Sequence, residues 1–194
     1  DKERDGINIS FITHLAIKSA FILNRSKVYL HCLEGVSPED SDLFNEVRDI
    51  VTINKVSLPS GIAGKDIKDY DIQKEILKLY ILGQFGGIYL DSDVITLKNY
   101  EDLRIHPTVL GYYKNGDITT PTHVLMSRAN NQVLQAWIDS IGKLSETRDH
   151  QYISAHLPIL MYRDFLKADK GNLIHFCPPE TFYPLSEGSI EEIL

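Results

Sequence analysis

The sequence predicts an α/β fold in which a mixed, mostly parallel central sheet is flanked by helices. Two observations lead to this class. Predicted strands and helices alternate along the chain, and residues 88–94 are predicted to form a buried-type strand that runs into two carboxylates. The chain has 194 residues, a length that suits one domain with its own core. We therefore expect a single domain over residues 1–194. The absence of an initiator Met and the acidic last residues predict that this domain is part of a longer chain.

The elements predicted for the first half rest on capping residues and on hydrophobic periodicity. In order they are a well-buried helix over 10–24, a strand over 27–33, a helix over 37–48, a strand over 49–54, a loop over 57–68, an amphipathic helix beginning at Asp69 or Asp71 and ending at Gly86, and the strand over 88–94. Ser10 and Ser37 are the expected N-caps of the first two helices.

The second half predicts further strands and helices on weaker patterns. They are strands over 109–113 and 123–127, a helix over 131–144, a helix over 152–166 interrupted near Pro158, and a short strand over 173–176. Their alternation with the earlier elements supports helices on both faces of the sheet.

Charge and composition exclude several classes of partner. With 20 basic and 27 acidic side chains the formal net charge is −7, which argues against nucleic acid and against an anionic membrane surface. No apolar run approaches the roughly 20 residues that span a bilayer, so we expect no membrane segment in this chain and favour a cytoplasmic location. Two cysteines, Cys32 and Cys177, are too few for a disulfide framework or a cysteine zinc site, and whether they pair stays open. The seven histidines lack the spacing of a zinc hydrolase.

The chemical signal of the sequence is an Asp-x-Asp triplet after an apolar strand. The chain holds three such triplets, whereas chance alone gives about one, so the bare pattern means little. Those at 40–42 and 69–71 stand at predicted helix starts, where carboxylates favour the helix dipole. Only Asp91 and Asp93 follow a strand, which gives them a functional interpretation.

Alternation along an extended strand places residues two apart on one side, about 6.6 Å from each other. Asp91 and Asp93 would then face the space beyond the carboxyl end of their strand, where α/β proteins bind ligands. Two carboxylates that face each other repel, and a bound divalent cation removes this repulsion. Oxygen ligands favour Mn²⁺ or Mg²⁺, which also bind substrate phosphates. The sequence thus predicts a metal-bound diphosphate. The alternative is a turn in which the two aspartates only cap the backbone.

Residues 75–94, EILKLYILGQFGGIYLDSDV, resemble the sugar-binding region of DXD glycosyltransferases, the group that includes capsular-polysaccharide, α-mannosyl and α-galactosyl transferases. Residues 15–20 resemble the early helix of bacterial and viral members, and residues 178–184 are similar to their C-terminal signature. The resemblance covers most of the chain. Among its members, the N-terminal domain of a large-DNA-virus enzyme, as in chlorella viruses, is one candidate origin.

This resemblance implies a GT-A (Rossmann-like) fold and a metal-dependent transferase of hexosyltransferase type, acting with retention. It implies a nucleotide-sugar donor, UDP-linked by preference, a glycan acceptor hydroxyl and a Mn²⁺ or Mg²⁺ ion. Asp93 would be the main metal ligand, while Asp91 would contact the ribose or sugar and bind the metal through water. Both are the expected catalytic residues.

Four further positions carry expected donor contacts. The family places an Asp and an Arg one turn apart on the preceding helix, where they hold donor sugar hydroxyls, and this chain has Glu75 and Lys78 instead. Lys lacks the planar fork of Arg, which leaves the identity of the sugar open. The alternative for this pair is a solvated helix face. Gly87 would let its strand start close to the helix and so gather the pair and the two aspartates around one pocket. His156 stands where the family has a Gly-Pro loop near the donor.

Two alternatives to a glycosyltransferase stay open at this stage. The nucleophile motif of HAD-type phosphatases is also Asp-x-Asp after an apolar strand. However, those enzymes expect Thr or Val where this chain has Ile95, and they expect a later acidic pair. A non-catalytic nucleotide-sugar-binding module within a longer enzyme is the other alternative.

Overall fold

Helices and strands are interspersed along the chain, with a run of consecutive strands from residue 87 to residue 127. A computed structural model describes residues 5–6, 8–38, 41–115, 117–144 and 149–184. The helices in these ranges are α1 (Phe11–Asn24), α2 (Asp42–Asn45), α3 (Tyr70–Phe85), α4 (Gln132–Lys143), α5 (Leu157–Lys167) and α6 (Pro179–Phe182). The strands are β1 (Asp5–Gly6), β2 (Val28–Leu33), β3 (Val36–Ser37), β4 (Val51–Val56), β5 (Gly61–Ile62), β6 (Lys65–Asp66), β7 (Gly87–Leu90), β8 (Thr108–Gly111), β9 (Tyr113–Asn115), β10 (Asp117–Thr119), β11 (Val124–Ser127) and β12 (His175–Cys177).

The chain packs as two compact units. One comprises Asp1–Leu58 with Leu90–Asp102, and the other comprises Pro59–Tyr89 with Leu103–Leu194. Each unit has a hydrophobic core of its own. The prediction of one domain over residues 1–194 stays a prediction. In the described part of the chain, every helix is too short or too polar to cross a bilayer.

The first unit is built on a parallel strand pair covered by α1. β2 and β4 pair in parallel over six residues, with Val28 opposite Val51. The Ser10 hydroxyl accepts a hydrogen bond from the Thr13 N–H at 3.0 Å, so the predicted N-cap is confirmed. The expected deep burial of this helix is wrong. Phe11 and Ile22 are 60% and 63% exposed, because only one face of α1 packs on the core.

The predicted helix over 37–48 is replaced by shorter elements. Ser37 lies in β3, where parallel pairing with β1 keeps its backbone extended. Ser41 is the true N-cap, and it caps α2, a helix of only four residues. A 3₁₀ turn at Arg48–Ile50 then leads into β4. The predicted loop over 57–68 contains the hairpin of β5 and β6.

The second unit holds a four-stranded mixed sheet in the order β12-β8-β11-β7. β8 runs antiparallel to β11 and parallel to β12. Among the six described pairs whose register is known, three are parallel and three are antiparallel. The α/β class with a mixed sheet is confirmed, and parallel pairs are not the majority among these six.

Helices α3, α4 and α5 cover this sheet around Trp137. That side chain is fully buried, and its indole N–H donates to the backbone oxygen of Ile153 at 3.1 Å. Ile153 belongs to a π-helical stretch, Tyr152–His156, which runs directly into α5. The irregularity expected near Pro158 therefore lies just before that proline, which occupies the first turn of α5, where its missing N–H costs nothing.

Helix α3 begins and ends where the sequence predicts. The Asp69 carboxylate caps it by accepting from two backbone N–H groups, and Gly86 follows its last residue with φ 67° and ψ −172°, a region accessible essentially to glycine. A Cβ on Gly86 would lie 2.7 Å from the backbone nitrogen of Ala129. The close approach expected at Gly87 thus belongs to Gly86. Gly87 has open space around it, and its φ of +116° is what favours glycine there.

Candidate functional site

Glu75 and Lys78 form a buried ion pair on α3. They stand one turn apart, and Oε2 of Glu75 lies 2.6 Å from Nζ of Lys78. The side chains are 3% and 6% exposed, so the alternative of a solvated helix face is wrong. Charged side chains are almost never buried this deeply unless they are paired. The structure therefore brings two of the predicted site residues together.

Thr122 completes the pair from a neighbouring segment. Lys78 Nζ donates to the Thr122 hydroxyl at 2.7 Å and to the Thr122 backbone oxygen at 3.2 Å. The same hydroxyl donates to Oε2 of Glu75 at 3.2 Å. Nζ also lies 4.7 Å from the centre of the Tyr89 ring, a cation–π distance. Sequence reasoning missed Thr122 because a lone threonine 44 residues away from Lys78 carries no pattern.

The segment that carries Thr122 is fixed on both sides by hydrogen bonds. The backbone N–H and the hydroxyl of Thr120 both donate to the Ala155 oxygen at 3.0 Å, and the Tyr183 hydroxyl donates to the Pro121 oxygen at 2.7 Å. Tyr183 packs over Gly111, where a Cβ would lie 2.6 Å from its ring. The C-terminal signature noted in the sequence thus supports the segment that holds Lys78.

The two carboxylate oxygens of Glu75 have different surroundings. Oε2 meets Lys78 and Thr122, and His150 Nε2 lies 3.7 Å from it, an ion-pair distance rather than a hydrogen bond. Oε1 is buried and has no hydrogen-bond partner among the described residues. Buried carboxylate oxygens normally accept hydrogen bonds, so Oε1 is an unsatisfied acceptor among the described residues.

Electrostatics keep this carboxylate ionised. Burial raises the pKa of Glu75, but the charge of Lys78 and the interaction with His150 outweigh it, so the pKa lies below its ordinary value. In turn, the interaction with Glu75 raises the pKa of His150, although burial opposes this. His150 is 42% exposed and lies at the rim of the pair. Sequence reasoning missed this residue, since nothing in the local pattern sets it apart from the other histidines.

Asp91 and Asp93 lie in a turn after β7, in the other compact unit. The strand ends at Leu90, and the Val94 N–H donates to the Asp91 backbone oxygen at 3.0 Å. The expected extension of the strand to residue 94 is wrong, so strand alternation does not fix where the two carboxylates point. Asp91 is half-buried and Asp93 is exposed. The backbone at Asp91 and Asp93 thus forms a turn, as the alternative interpretation of this triplet predicts.

The donor set of this turn fits a hard divalent cation. Across the ranges described, no three His, Cys, Asp or Glu side chains are grouped so that they could hold a metal. A cation at Asp91 and Asp93 would take two carboxylates and draw its other ligands from water and substrate phosphate. Mg²⁺ and Mn²⁺ accept such a set, whereas structural zinc requires four protein ligands.

His156 does not take part in the buried pair. It lies in Tyr152–His156, half-buried, with its ring centre 6.4 Å from that of Tyr152. The described side chains that contact Glu75 or Lys78 include those of Thr122, Tyr89 and His150. A donor contact by His156 stays a prediction, as does one by Gly87.

Comparison with known proteins places the chain in a family. The family described as glycosyltransferase sugar-binding region containing DXD motif matches residues 13–110, half of the chain. That range includes Glu75, Lys78, Asp91 and Asp93. The chain belongs to this DXD-containing glycosyltransferase family, as its sequence resemblance indicates, and this membership argues against the phosphatase alternative.

Individual relatives agree with this assignment. The chain is 27% identical over 146 residues to glucan organizing enzyme 1 of Cryptococcus neoformans var. grubii; the match covers 71% of this chain and 39% of that protein. The chain thus spans about two fifths of this curated relative. The solved structure of the PaToxG glycosyltransferase is similar with a TM-score of 0.57 at 18% identity, over 87% of this chain and 68% of that one. This likeness supports a GT-A-like fold. A viral origin stays a prediction.

Proposed function

We propose that this chain transfers a hexosyl group from a nucleotide sugar, UDP-linked by preference, to a glycan hydroxyl with the help of Mn²⁺ or Mg²⁺. The observation that carries the proposal is the buried Glu75–Lys78 pair, in which one carboxylate oxygen has no hydrogen-bond partner among the described residues, within the range matched by a sugar-binding family. Sugar hydroxyl groups are among the donors from which such an oxygen accepts hydrogen bonds.

Asp91 and Asp93 are the residues proposed to hold the cation. When bound, a divalent cation neutralises charge on the departing nucleoside diphosphate as a Lewis acid. A chain with a net charge of −7 can bind a diphosphate in this way without a basic surface. Hence the acidic composition disfavours nucleic acid but not a nucleotide.

Glu75 is proposed to orient the donor sugar. Its ionised carboxylate accepts a hydrogen bond from a sugar hydroxyl, and such charge-assisted bonds are roughly twice as strong as neutral ones. Holding the sugar in a fixed orientation favours attack by the acceptor hydroxyl at the anomeric carbon. Retention of anomeric configuration belongs to the proposal through the family resemblance, and the stereochemistry of the product tests it.

The proposal is tested by thermal unfolding of the full chain with UDP-glucose, UDP-galactose, UDP-N-acetylglucosamine and GDP-mannose, each with and without Mn²⁺. A ligand at 100 times its Kd adds about 2.7 kcal/mol to stability, which raises the Tm of a chain of this size by roughly 5–10 °C. We expect this rise for at least one nucleotide sugar, and only with the metal.

Three other results would contradict the proposal. A rise with a phosphomonoester such as p-nitrophenyl phosphate, and none with a nucleotide sugar, would favour a phosphatase. A metal-independent rise with a nucleotide sugar would remove the cation from the mechanism. Binding without turnover to any acceptor or to water would identify the non-catalytic module instead.

A further inference from the structure

We infer that Ser19 is a positioning residue for the cation proposed at Asp91 and Asp93, because its hydroxyl holds the backbone that follows Asp93. This inference rests on the proposed function, in which the two aspartates are the protein ligands of the cation. Ser19 lies on α1, in the same compact unit as the turn that carries them. Its role is separate from that of the Glu75–Lys78 pair, which belongs to the other unit.

The backbone around this turn lies outside regular secondary structure. Residues 91–100 connect β7 to a 3₁₀ turn at Glu101–Leu103. Within the turn itself the Val94 N–H donates to the Asp91 oxygen. Thr96 is only 3% exposed, so bulk water does not satisfy its backbone N–H. A buried N–H outside helices and strands needs an acceptor from elsewhere in the protein or from ordered water.

Ser19 supplies the acceptor for Thr96. Its Oγ accepts from the Thr96 N–H at 3.0 Å and donates to the Ala16 backbone oxygen at 3.0 Å, one turn back on α1. A hydroxyl has one proton and two acceptor sites. Because the proton is engaged by Ala16, an acceptor site of Ser19 faces Thr96. Helix α1 therefore fixes the backbone at the third residue after Asp93.

Asn24, the last residue of α1, holds the far end of the same segment in a similar way. Its Nδ2 donates to the Ala20 backbone oxygen at 3.0 Å, and its Oδ1 accepts from the Tyr100 N–H at 3.1 Å. The hydroxyls of Thr96 and Tyr100 lie 3.3 Å apart, which joins the two points of attachment. The segment 96–100 is thus held on α1 at both of its ends.

This attachment bears on the cation because Asp93 is exposed in its turn. A chain that must be ordered when a ligand binds loses conformational freedom, and this loss lowers the affinity. When the backbone beyond Asp93 is already fixed, less freedom is lost as the carboxylates close on a cation. Ser19 is the attachment nearest to Asp93 along the chain, and Asn24 acts through residues farther away, so we expect Ser19 to have the larger effect.

The test measures the affinity for Mn²⁺ in the presence of UDP and, separately, of GDP, by electron paramagnetic resonance of the unbound ion. The proteins are the full chain and its variants Ser19→Ala, Ser19→Thr, Asn24→Ala and Ser140→Ala. The matched control is Ser140→Ala. The Ser140 hydroxyl also donates to a backbone oxygen of its own helix, that of Ala136 at 2.7 Å, but it lies on α4 in the other unit.

Circular dichroism and thermal unfolding establish which variants are folded, and affinities are measured well below each Tm. Ala is a better helix former than Ser, so we expect Ser19→Ala to keep α1. If it does not fold, Asn24→Ala takes its place, because it releases the other end of the same segment.

We expect Ser19→Ala to weaken Mn²⁺ binding about 10-fold, the low end of the range for groups that orient metal ligands. Asn24→Ala weakens it by a smaller factor, and Ser140→Ala leaves it unchanged. Ser19→Thr keeps a hydroxyl that can bond the preceding turn of the helix, so it restores most of the affinity. The Mn²⁺ concentration for half-maximal turnover rises with the Kd, whereas turnover at saturating Mn²⁺ changes little.

A purely structural role for Ser19 would lower the Tm and leave the Mn²⁺ affinity of the folded protein unchanged, and this result would overturn the inference. The same holds for Asn24→Ala where it replaces Ser19→Ala. An equal loss of affinity in Ser19→Thr or in Ser140→Ala would also overturn it, because the Ser19 hydroxyl would then not be the cause. The failure of the proposed function looks different: the unmodified chain would then bind no Mn²⁺ with either diphosphate.

Discussion

Lys78 Nζ lies 2.6 Å from Oε2 of Glu75, one helical turn away, in a site where both side chains are more than nine-tenths buried. Taking two charges out of water costs several kcal/mol per ion, and their attraction returns this only with good geometry and further hydrogen bonds. Thr122 supplies such bonds on one side of the pair. Oε1 of Glu75 has no hydrogen-bond partner among the described residues, which costs free energy in a buried site.

The first prediction concerns the stability of this pair. Lys78→Met leaves the Glu75 charge buried and uncompensated, so we expect the free energy of unfolding to fall by about 3–5 kcal/mol. The double variant Glu75→Leu/Lys78→Met replaces both charges with apolar groups, and we expect it to lie within about 1 kcal/mol of the unmodified chain. Urea unfolding monitored by circular dichroism gives both values.

The control is Lys167→Met. Lys167 and Asp164 form a pair with the same i,i+3 spacing at 3.1 Å, but both side chains are 76% exposed. We expect a change below about 1 kcal/mol there. Equal losses of stability in Lys78→Met and Lys167→Met would show that burial does not determine the cost of breaking the ion pair.

The second prediction compares two glycines of one segment. Gly86→Ala places a Cβ 2.7 Å from the Ala129 backbone at φ 67°, so we expect a loss of several kcal/mol in stability. Gly83→Ala lies in the interior of α3 with open space around it, and we expect a gain of about 0.5–1 kcal/mol. Thermal unfolding measures both. An unchanged stability of Gly86→Ala would contradict this prediction, because the backbone would then have moved to avoid the contact.

The third prediction tests the metal site. Asp93 is exposed in a turn, so Asp93→Ala should leave the fold intact while nucleotide-sugar turnover falls by two orders of magnitude or more. EDTA should abolish turnover by the unmodified chain, and Mn²⁺ should restore it. Turnover is measured as release of the nucleoside diphosphate.

Asp42→Ala is the matched control for Asp93→Ala. Asp42 ends an identical Asp-Ser-Asp tripeptide but lies exposed in the first turn of α2. We expect unchanged turnover and a stability loss below about 1 kcal/mol from the helix dipole. If both variants lost turnover equally, the assignment of the cation to Asp91 and Asp93 would be wrong. Asp40, the first residue of the control tripeptide, lies outside the described residues.

The fourth prediction concerns pH. The pKa of His150 is raised in the folded chain, mainly by Glu75, so the stability that its protonated form adds is fully present below the unfolded pKa of about 6.5. That contribution is lost as the pH rises through the higher folded pKa. We therefore expect His150→Gln to lower stability by about 1 kcal/mol or less at pH 5.5, and the deficit to shrink as the pH rises above 7.

Unfolding curves at pH 5.5, 6.5, 7.5 and 8.5 check this sign. The charge of Asp71 also raises the pKa of His150, and the charge of Lys78 lowers it. A deficit that grew with pH would show that His150 is held neutral, contrary to its ion pair with Glu75. Its pKa can be read directly from the ring proton shifts.

The sequence determined a good part of this protein because some features depend on local chemistry. Ser10 and Asp69 are short polar side chains that satisfy free backbone N–H groups, so the starts of α1 and α3 could be predicted. The Gly86-Gly87 pair marked the end of α3 for the same local reason. The Asp-x-Asp segment and its flanks were sufficient to predict the family.

The tertiary structure decided what depends on residues distant in sequence. Ser37 is drawn into a parallel pairing with β1, so the helix predicted from its capping chemistry starts at Asp42 instead. Hydrophobic periodicity could not tell whether Glu75 and Lys78 face water or the interior. The burial of a helix face depends on which segments pack against it, and these segments are distant in sequence. Thr122, 44 residues along the chain from Lys78, accepts a hydrogen bond from it, and this tertiary contact helps to make two charged residues on a helix into a buried pair.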